Sequence, residues 1–483
     1  MKRWTIIEAS QALRRGEITP LDLVQTCLDR IHRYDAQVRA WVLVDEAGAR
    51  QAAGEAEREW KAGIDRGPLH GIPVGIKDIF DMAGWPTRAG SPLRENHRAE
   101  RDALLVAVLR WAGAILLGKT VTVEFACFDP SPTRNPWSPT LSHTPGGSSS
   151  GSAAAVAMGM CLGALGTQTG GSLVRPAAYC GIATLKPTFG QLPLDGVVPV
   201  SGHLDHAGPM ALCVEDLRQM YRVLRTGAEA LIGRSIQAES APADWVQKVL
   251  FAEQPPPSQP TLLEGQELTS EEGRSRASNL SRPPRLARVV GFFADQADPT
   301  MQKLFEQALS RLSEAGAEVG RWAWPTEFAD VLDLHTLIMA VEAAAYHRPT
   351  FLHHRCQYGP KITELLDQGL RITAVDYLGG LDRLGALRRE AAGWLGDWDA
   401  LIMPSTTTTA PATLETTGDK TMQAPWSCTG LPVVSIPCGL AENGMPGAVQ
   451  LVGRPDQEEA LLSVAAWCEK QWAFHSPPPL LHQ

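Results

Sequence analysis

Three things are missing from this sequence of 483 residues: a disulfide or zinc pattern, a basic face, and an apolar run long enough to cross a bilayer. Its nine cysteines (27, 127, 161, 180, 213, 356, 428, 438 and 468) are odd in number, scattered and never spaced as C-x-x-C, so they read as reduced core thiols. The histidines supply no metal set either. Only His203 and His206 stand three apart, with no Cys or paired His to complete a site, while His353 and His354 are adjacent and point to different sides of any element. No metal and no cofactor are expected. Lys and Arg number 44 against 53 Asp and Glu, a net charge of −9 with no basic stripe along any predicted helix, which disfavours a nucleic-acid or anionic-membrane partner. The longest small-apolar stretch, Ala153 to Gly166, is too short and too broken by glycine to span a membrane. At the start, Met1 to Glu8 reaches an acid before any signal-like apolar core forms. A cytoplasmic location is the expectation.

What is present points to a folded α/β chain. Apolar residues make 44% and charged residues 20%, ordinary values for a protein that buries a large core. Residues 5–62 carry apolar positions at helical spacing (Leu21, Val24, Leu28, Ile31), with Thr19 and Pro20 as cap and first position, and 1–65 reads as a helical layer. Short apolar runs at 72–76 and 112–118 suit buried strands between helices. Val289 to Phe293, a helix over 299–316 opened by Asp298-Pro299, and a strand at 317–324 form the simplest βαβ unit. Strands are also expected at 400–404, 433–437 and 447–452, and a last helix at 456–470. Between them, residues 253–284 hold six prolines among Gln, Ser, Glu and Arg and read as an exposed insertion.

Glycine is over-represented, and the excess has an address: ten of the 44 glycines lie within residues 146–190. Pro145-Gly146-Gly147-Ser148-Ser149-Ser150-Gly151-Ser152 runs into an alanine-rich helix start, so clustered hydroxyls sit at a helix N-terminus. Gly166-Thr167-Gln168-Thr169-Gly170-Gly171-Ser172 follows, and Gly75-Ile76-Lys77-Asp78 lies upstream. A serine hydroxyl is a poor nucleophile unless a base removes its proton and N–H donors receive the oxyanion that forms. Glycines 170 and 171 allow consecutive N–H groups to converge on one oxygen. Lys77 serves as base if burial leaves it neutral.

These three motifs, with Pro176-Ala177-Ala178-Tyr179-Cys180-Gly181 beyond them, resemble the amidase signature family over most of the chain. The resemblance implies an α/β fold with a central twisted mixed β-sheet flanked on both faces by helices, in a single domain spanning 1–483. It implies hydrolysis of a small-molecule amide, with aryl esters and carbamates open as further substrates, through a Ser–cis-Ser–Lys triad. Ser172 is then the nucleophile, Ser148 the relay and Lys77 the base, with a cis bond between Gly147 and Ser148. Thr169, Gly170, Gly171 and Ser172 give the oxyanion hole, and Gly147 and Ser149 support the relay serine. Phe125, Cys127, Phe128 and Trp426 are candidates for an apolar pocket. A homodimer is compatible with the sequence but not required by it.

Members of that family usually carry Asp four residues before the nucleophile and Arg two after it. This chain has Gln168 and Val174 there, with Arg175 one place further on, Ser150 where the family usually has Gly, and Ser427 where it usually has Asn. Joint loss of both partners of an ion pair leaves no buried charge behind, so it reads as an altered structural prop. Two readings compete with a free-standing amidase. One is a non-catalytic or tRNA-amidotransferase-like subunit that keeps the fold. The other is an α/β-hydrolase using Ser149, since Gly147 to Gly151 matches G-x-S-x-G, although that elbow must follow a strand and here follows a polar, proline-stopped segment.

Overall fold

Reciprocal caps start the N-terminal helices. Thr5 accepts from the N–H of Glu8 while Glu8 accepts from the N–H of Thr5, opening α1 (Ile6–Arg14). Thr19 and Asp22 repeat the device for α2 (Pro20–Val38), with Pro20 in the first turn, Asp45 caps α3 (Glu46–Lys61), and α4 (Leu104–Trp111) follows. The computed structural model describes residues 2–239, 280 and 282–482. The expected insertion at 253–284 therefore lies outside the described residues except at 280 and 282–284.

Among the described residues, eleven strands form one mixed sheet: β1 (Trp41–Val44), β2 (Pro73–Lys77), β3 (Ile115–Thr120), β4 (Gly163–Gln168), β5 (Ala183–Lys186), β6 (His206–Ala211), β7 (Arg285–Val290), β8 (Glu318–Ala323), β9 (Ala400–Pro404), β10 (Val433–Leu440) and β11 (Pro446–Val452). Their order across the sheet is β1-β3-β2-β4-β6-β5-β10-β11-β9-β7-β8. Near one end β2 runs parallel to both β3 and β4, and near the other β7 runs parallel to β8 and β9. Between them the pairings are antiparallel.

The expected βαβ unit is present as β7, the helix Pro299–Glu314 and β8, and Asp298 caps that helix by accepting from the Met301 N–H at 2.7 Å. The helical reading of 5–62 misses β1. This strand is four residues long and held by antiparallel pairing with β3, so its stability comes from residues some seventy positions away, where a local period carries no signal.

The strands that carry the site are enclosed. Every residue of β2, β3, β4 and β6 is buried, and α5 (Ser150–Ala157), made of Ser, Gly, Ala and Val, is buried on all sides against β2, β3 and β4. Small residues let this helix approach the sheet closely: a Cβ on Gly151 would lie 2.3 Å from the Ala40 carbonyl oxygen. Directly after β2, Asp78 pairs with Lys119 of β3 at 2.9 Å, with both side chains at most 1% exposed. Lys119 also donates to the Phe80 carbonyl at 2.7 Å. Removing one partner leaves an uncompensated buried charge, so Lys119→Met is expected to destabilise the fold by about 3–5 kcal/mol, read by denaturant unfolding.

Candidate active site

Lys77 is the last residue of β2 and is fully buried. Its Nζ donates to Ser148 Oγ at 2.7 Å and to Thr167 Oγ1 of β4 at 2.8 Å, so both partners are neutral hydroxyls. Burial pushes the Lys77 ammonium down to about 7, against the opposing effects of the Asp205 carboxylate and the Cys127 thiol. A lysine held this way exists substantially as the free amine near neutral pH.

Ser148 lies in the loop before α5, and the Gly147–Ser148 peptide is cis. The neighbouring hydroxyls are engaged elsewhere. Ser149 Oγ accepts from the Thr167 N–H at 3.2 Å and donates to the Thr167 carbonyl at 3.3 Å, Ser150 Oγ bonds Ser131 Oγ at 2.7 Å, and Ser152 Oγ donates to the Leu165 carbonyl at 2.9 Å. Ser148 and Ser172 instead face one cleft, with about 360 Å³ of atom-free space partly open to solvent. Ser149 is fully buried and absent from its wall, which tells against the elbow reading.

The loop from Thr169 to Ser172 is held by its carbonyls. Thr169 O faces His335 Nε2 at 3.1 Å, Gly170 O accepts from Ser427 Oγ at 3.3 Å, and Gly171 O accepts from the Arg175 N–H at 2.9 Å. In a trans peptide the N–H points opposite the C=O, so fixing three carbonyls outward aims the N–H groups of Gly170, Gly171 and Ser172 the other way. Among the described residues none accepts from those three N–H groups. At 171 a Cβ would crowd the buried Gln423 side chain, which glycine leaves in place.

The departures from the family pattern have a physical account. Gln168 Oε1 accepts from the N–H groups of Leu173 and Val174, both at 3.1 Å, which satisfies the start of α6 (Val174–Cys180). Its Nε2 donates to Ser427 Oγ at 3.3 Å, the hydroxyl that holds the Gly170 carbonyl. An amide can accept and donate at once, whereas a carboxylate only accepts. Arg175 Nη2 donates to the Gly147 carbonyl at 2.8 Å and to Thr417 Oγ1 at 3.2 Å, fixing the peptide that precedes Ser148.

The pocket expectations divide. Cys127 and Phe128 line the cleft, but Phe125 and Trp426 do not. Phe125 turns back against His347, with ring centroids 4.4 Å apart, and Trp426 is fully buried beside Trp324 with its Nε1 at 3.3 Å from Met403 Sδ. Both are core aromatics, which periodicity alone does not separate from pocket residues.

Four groups near the site carry no sequence signal of their own. Thr167 and His335 are named above. Asp205 accepts from the Thr169 hydroxyl and from the N–H groups of Val200 at 2.8 Å and Ser201 at 3.0 Å. Desolvation pushes its carboxyl up to about 6. Lys420 Nζ lies 3.2 Å from His335 Nδ1. Burial holds the His335 imidazole neutral, well below its ordinary value, so the ring receives from Lys420 and donates to Thr169.

Gln168→Leu leaves the Leu173 and Val174 N–H groups without an acceptor. A loss of about 2–4 kcal/mol is expected in denaturant unfolding, and Gln168→Glu, which restores the acceptor, should recover part of it.

The family model described as Amidase matches residues 22–240 and 257–462. The chain is similar to a glutamyl-tRNA(Gln) amidotransferase subunit of Roseiflexus castenholzii, at 33% identity over 98% of this chain and 97% of that protein. It is equally similar to an amidase of Pseudomonas putida, at 33% identity over 100% of this chain and 98% of that one. Among solved structures, the peptide amidase of Stenotrophomonas maltophilia superposes with a TM-score of 0.78 at 28% identity, covering 99% of this chain and 98% of that chain. With sequence and fold matched over nearly their whole length, the chain belongs to the amidase family.

Proposed function

We propose that the protein hydrolyses carboxylic amides as one catalytic domain, through an acyl-enzyme on Ser172. The observation that carries this reading is the 2.7 Å contact between the fully buried Lys77 Nζ and Ser148 Oγ, at the edge of a cleft that also holds Ser172. In the first step the neutral Lys77 amine takes the Ser148 proton while Ser148 takes the Ser172 proton. Ser172 Oγ bonds to the amide carbon, and the carbonyl π pair moves onto oxygen. That oxyanion meets the N–H groups of Gly170, Gly171 and Ser172, with the Thr169 N–H at the edge of the same loop. When the C–N bond breaks, the relay returns the proton to the departing amine. Water then gives a proton to the relay as its oxygen attacks the ester, and Ser172 leaves with that proton as the C–O bond to the acyl group breaks, releasing the acid.

A second reading, an amidotransferase component that needs partner chains, draws on the similarity to the Roseiflexus protein. Measuring amide hydrolysis by the isolated chain separates the two. No turnover of any amide, ester or carbamate, together with Ser172 inert to a fluorophosphonate, would favour the dependent or non-catalytic component.

Two outcomes are expected of the isolated enzyme. Because the working form of Lys77 is the amine, kcat/KM should rise about tenfold per pH unit below about 7 and level off above it. A flat profile between pH 5 and 9, with chemistry rate-limiting, overturns the assignment of the base. Lys77→Ala and Ser172→Ala should fold yet lose activity by about a thousandfold or more, and a fluorophosphonate should label Ser172 and not Ser149.

A further inference from the structure

Two cations in the cleft wall take no part in the proton relay. Lys420 is partly buried and donates to Thr336 Oγ1 at 3.0 Å as well as to His335, and its Nζ lies 5.5 Å from the centre of the Phe128 ring. Arg175 is 3% exposed, and its Nε has no hydrogen-bond partner among the described residues. Among the described residues, all the hydrogen-bond partners of both groups are neutral: a carbonyl, two hydroxyls and an imidazole.

The acids nearby do not answer these charges. Among the described residues no Asp or Glu stands in the cleft wall. Asp419, next to Lys420, is exposed and accepts from the Thr421 N–H at 2.7 Å; its field favours both cations, less than burial disfavours them, and it bonds to neither. Asp205 lies behind Thr169 with its oxygens taken by three donors. Desolvation lowers both cations, Lys420 to about 8, so at neutral pH Lys420 still carries its proton most of the time. Interiors rarely hold a cation without an anion, because its lost hydration is otherwise unreturned. The Lys420 stem also runs beside the oxyanion loop, since a Cβ on Gly170 would lie 3.5 Å from Lys420 Cδ. A charge there stands beside the loop proposed to receive the reacting carbonyl.

We infer that the amide cleaved at Ser172 also bears a carboxylate, which Lys420 anchors while Arg175 adds to the positive field. This inference rests on the amide-hydrolase reading and names its substrate class. A charge-assisted contact of this kind distinguishes an anionic substrate from its neutral counterpart by about tenfold or more.

The test compares kcat/KM for succinamic acid and for the neutral, equally long succinamide, in wild type and in Lys420→Met. Wild type should prefer the acid by about tenfold or more, and the substitution should bring the ratio close to one, mainly through KM. Using a ratio removes any general loss that reaches the oxyanion loop through His335. Lys420→Arg, which keeps the charge, should keep a preference for the acid, and Lys420→Gln replaces the Met variant if that one fails to fold. A wild-type ratio near one, or a ratio unchanged by loss of the charge, overturns the inference. If neither compound turns over, both are titrated calorimetrically against Ser172→Ala protein, where equal or absent binding overturns it and tighter binding of the acid supports it. Labelling of Ser172 and turnover of other neutral amides judge the hydrolase reading separately. An enzyme that passes those two and shows no acid preference keeps its reaction and loses its carboxylate anchor.

Discussion

Everything in the site depends on a lysine kept in the protein interior with, among the described residues, no anion bonded to it. Desolvation removes the usual advantage of the ammonium form, and two hydroxyls at 2.7 and 2.8 Å accept from Nζ without restoring that advantage. Such an arrangement needs rigid walls. Lys77 obtains them by ending a strand with parallel neighbours on both sides, one of which supplies Thr167. One residue further along the chain, the Asp78–Lys119 pair shows the opposite solution, with a lysine equally buried but matched by a carboxylate. The two lysines differ in partner, and that difference suits one to be a structural ion and the other to be the base proposed above.

The loop from Thr169 to Ser172 is ordered from behind. Each of its carbonyls is held by a different element: His335 on the helix Val331–His354, Ser427 on the helix Ala424–Thr429, and the backbone of Arg175 on α6. A glycine-rich loop has high intrinsic freedom, and only external bonds turn it into a fixed set of donors. Those bonds come from segments up to about 250 residues away in sequence, so the loop's geometry is a property of the whole fold.

This explains which parts were legible in the sequence. Lys77, Ser148 and Ser172 sit in local motifs whose residue types have few other uses together, and the capped helices and the βαβ unit announce themselves within one or two turns. β1, the Gln168–Ser427 pair and the roles of Asp205, His335 and Lys420 do not, because each depends on a contact between distant segments. Phe125 and Trp426 err in the other direction. An aromatic beside a motif looks like a pocket residue, and only packing against His347 or Trp324 shows that it belongs to the core.

The serine-rich stretch before α5 has the composition of a flexible linker, yet its hydroxyls are bonded one by one to β4 and to the Ser131 loop. In terms of chemical selectivity, this withdraws Ser149, Ser150 and Ser152 from the population of hydroxyls that an electrophile can meet. One serine among four is left facing the lysine. Discrimination among chemically identical neighbours is thus achieved before any substrate arrives, by occupying the other three.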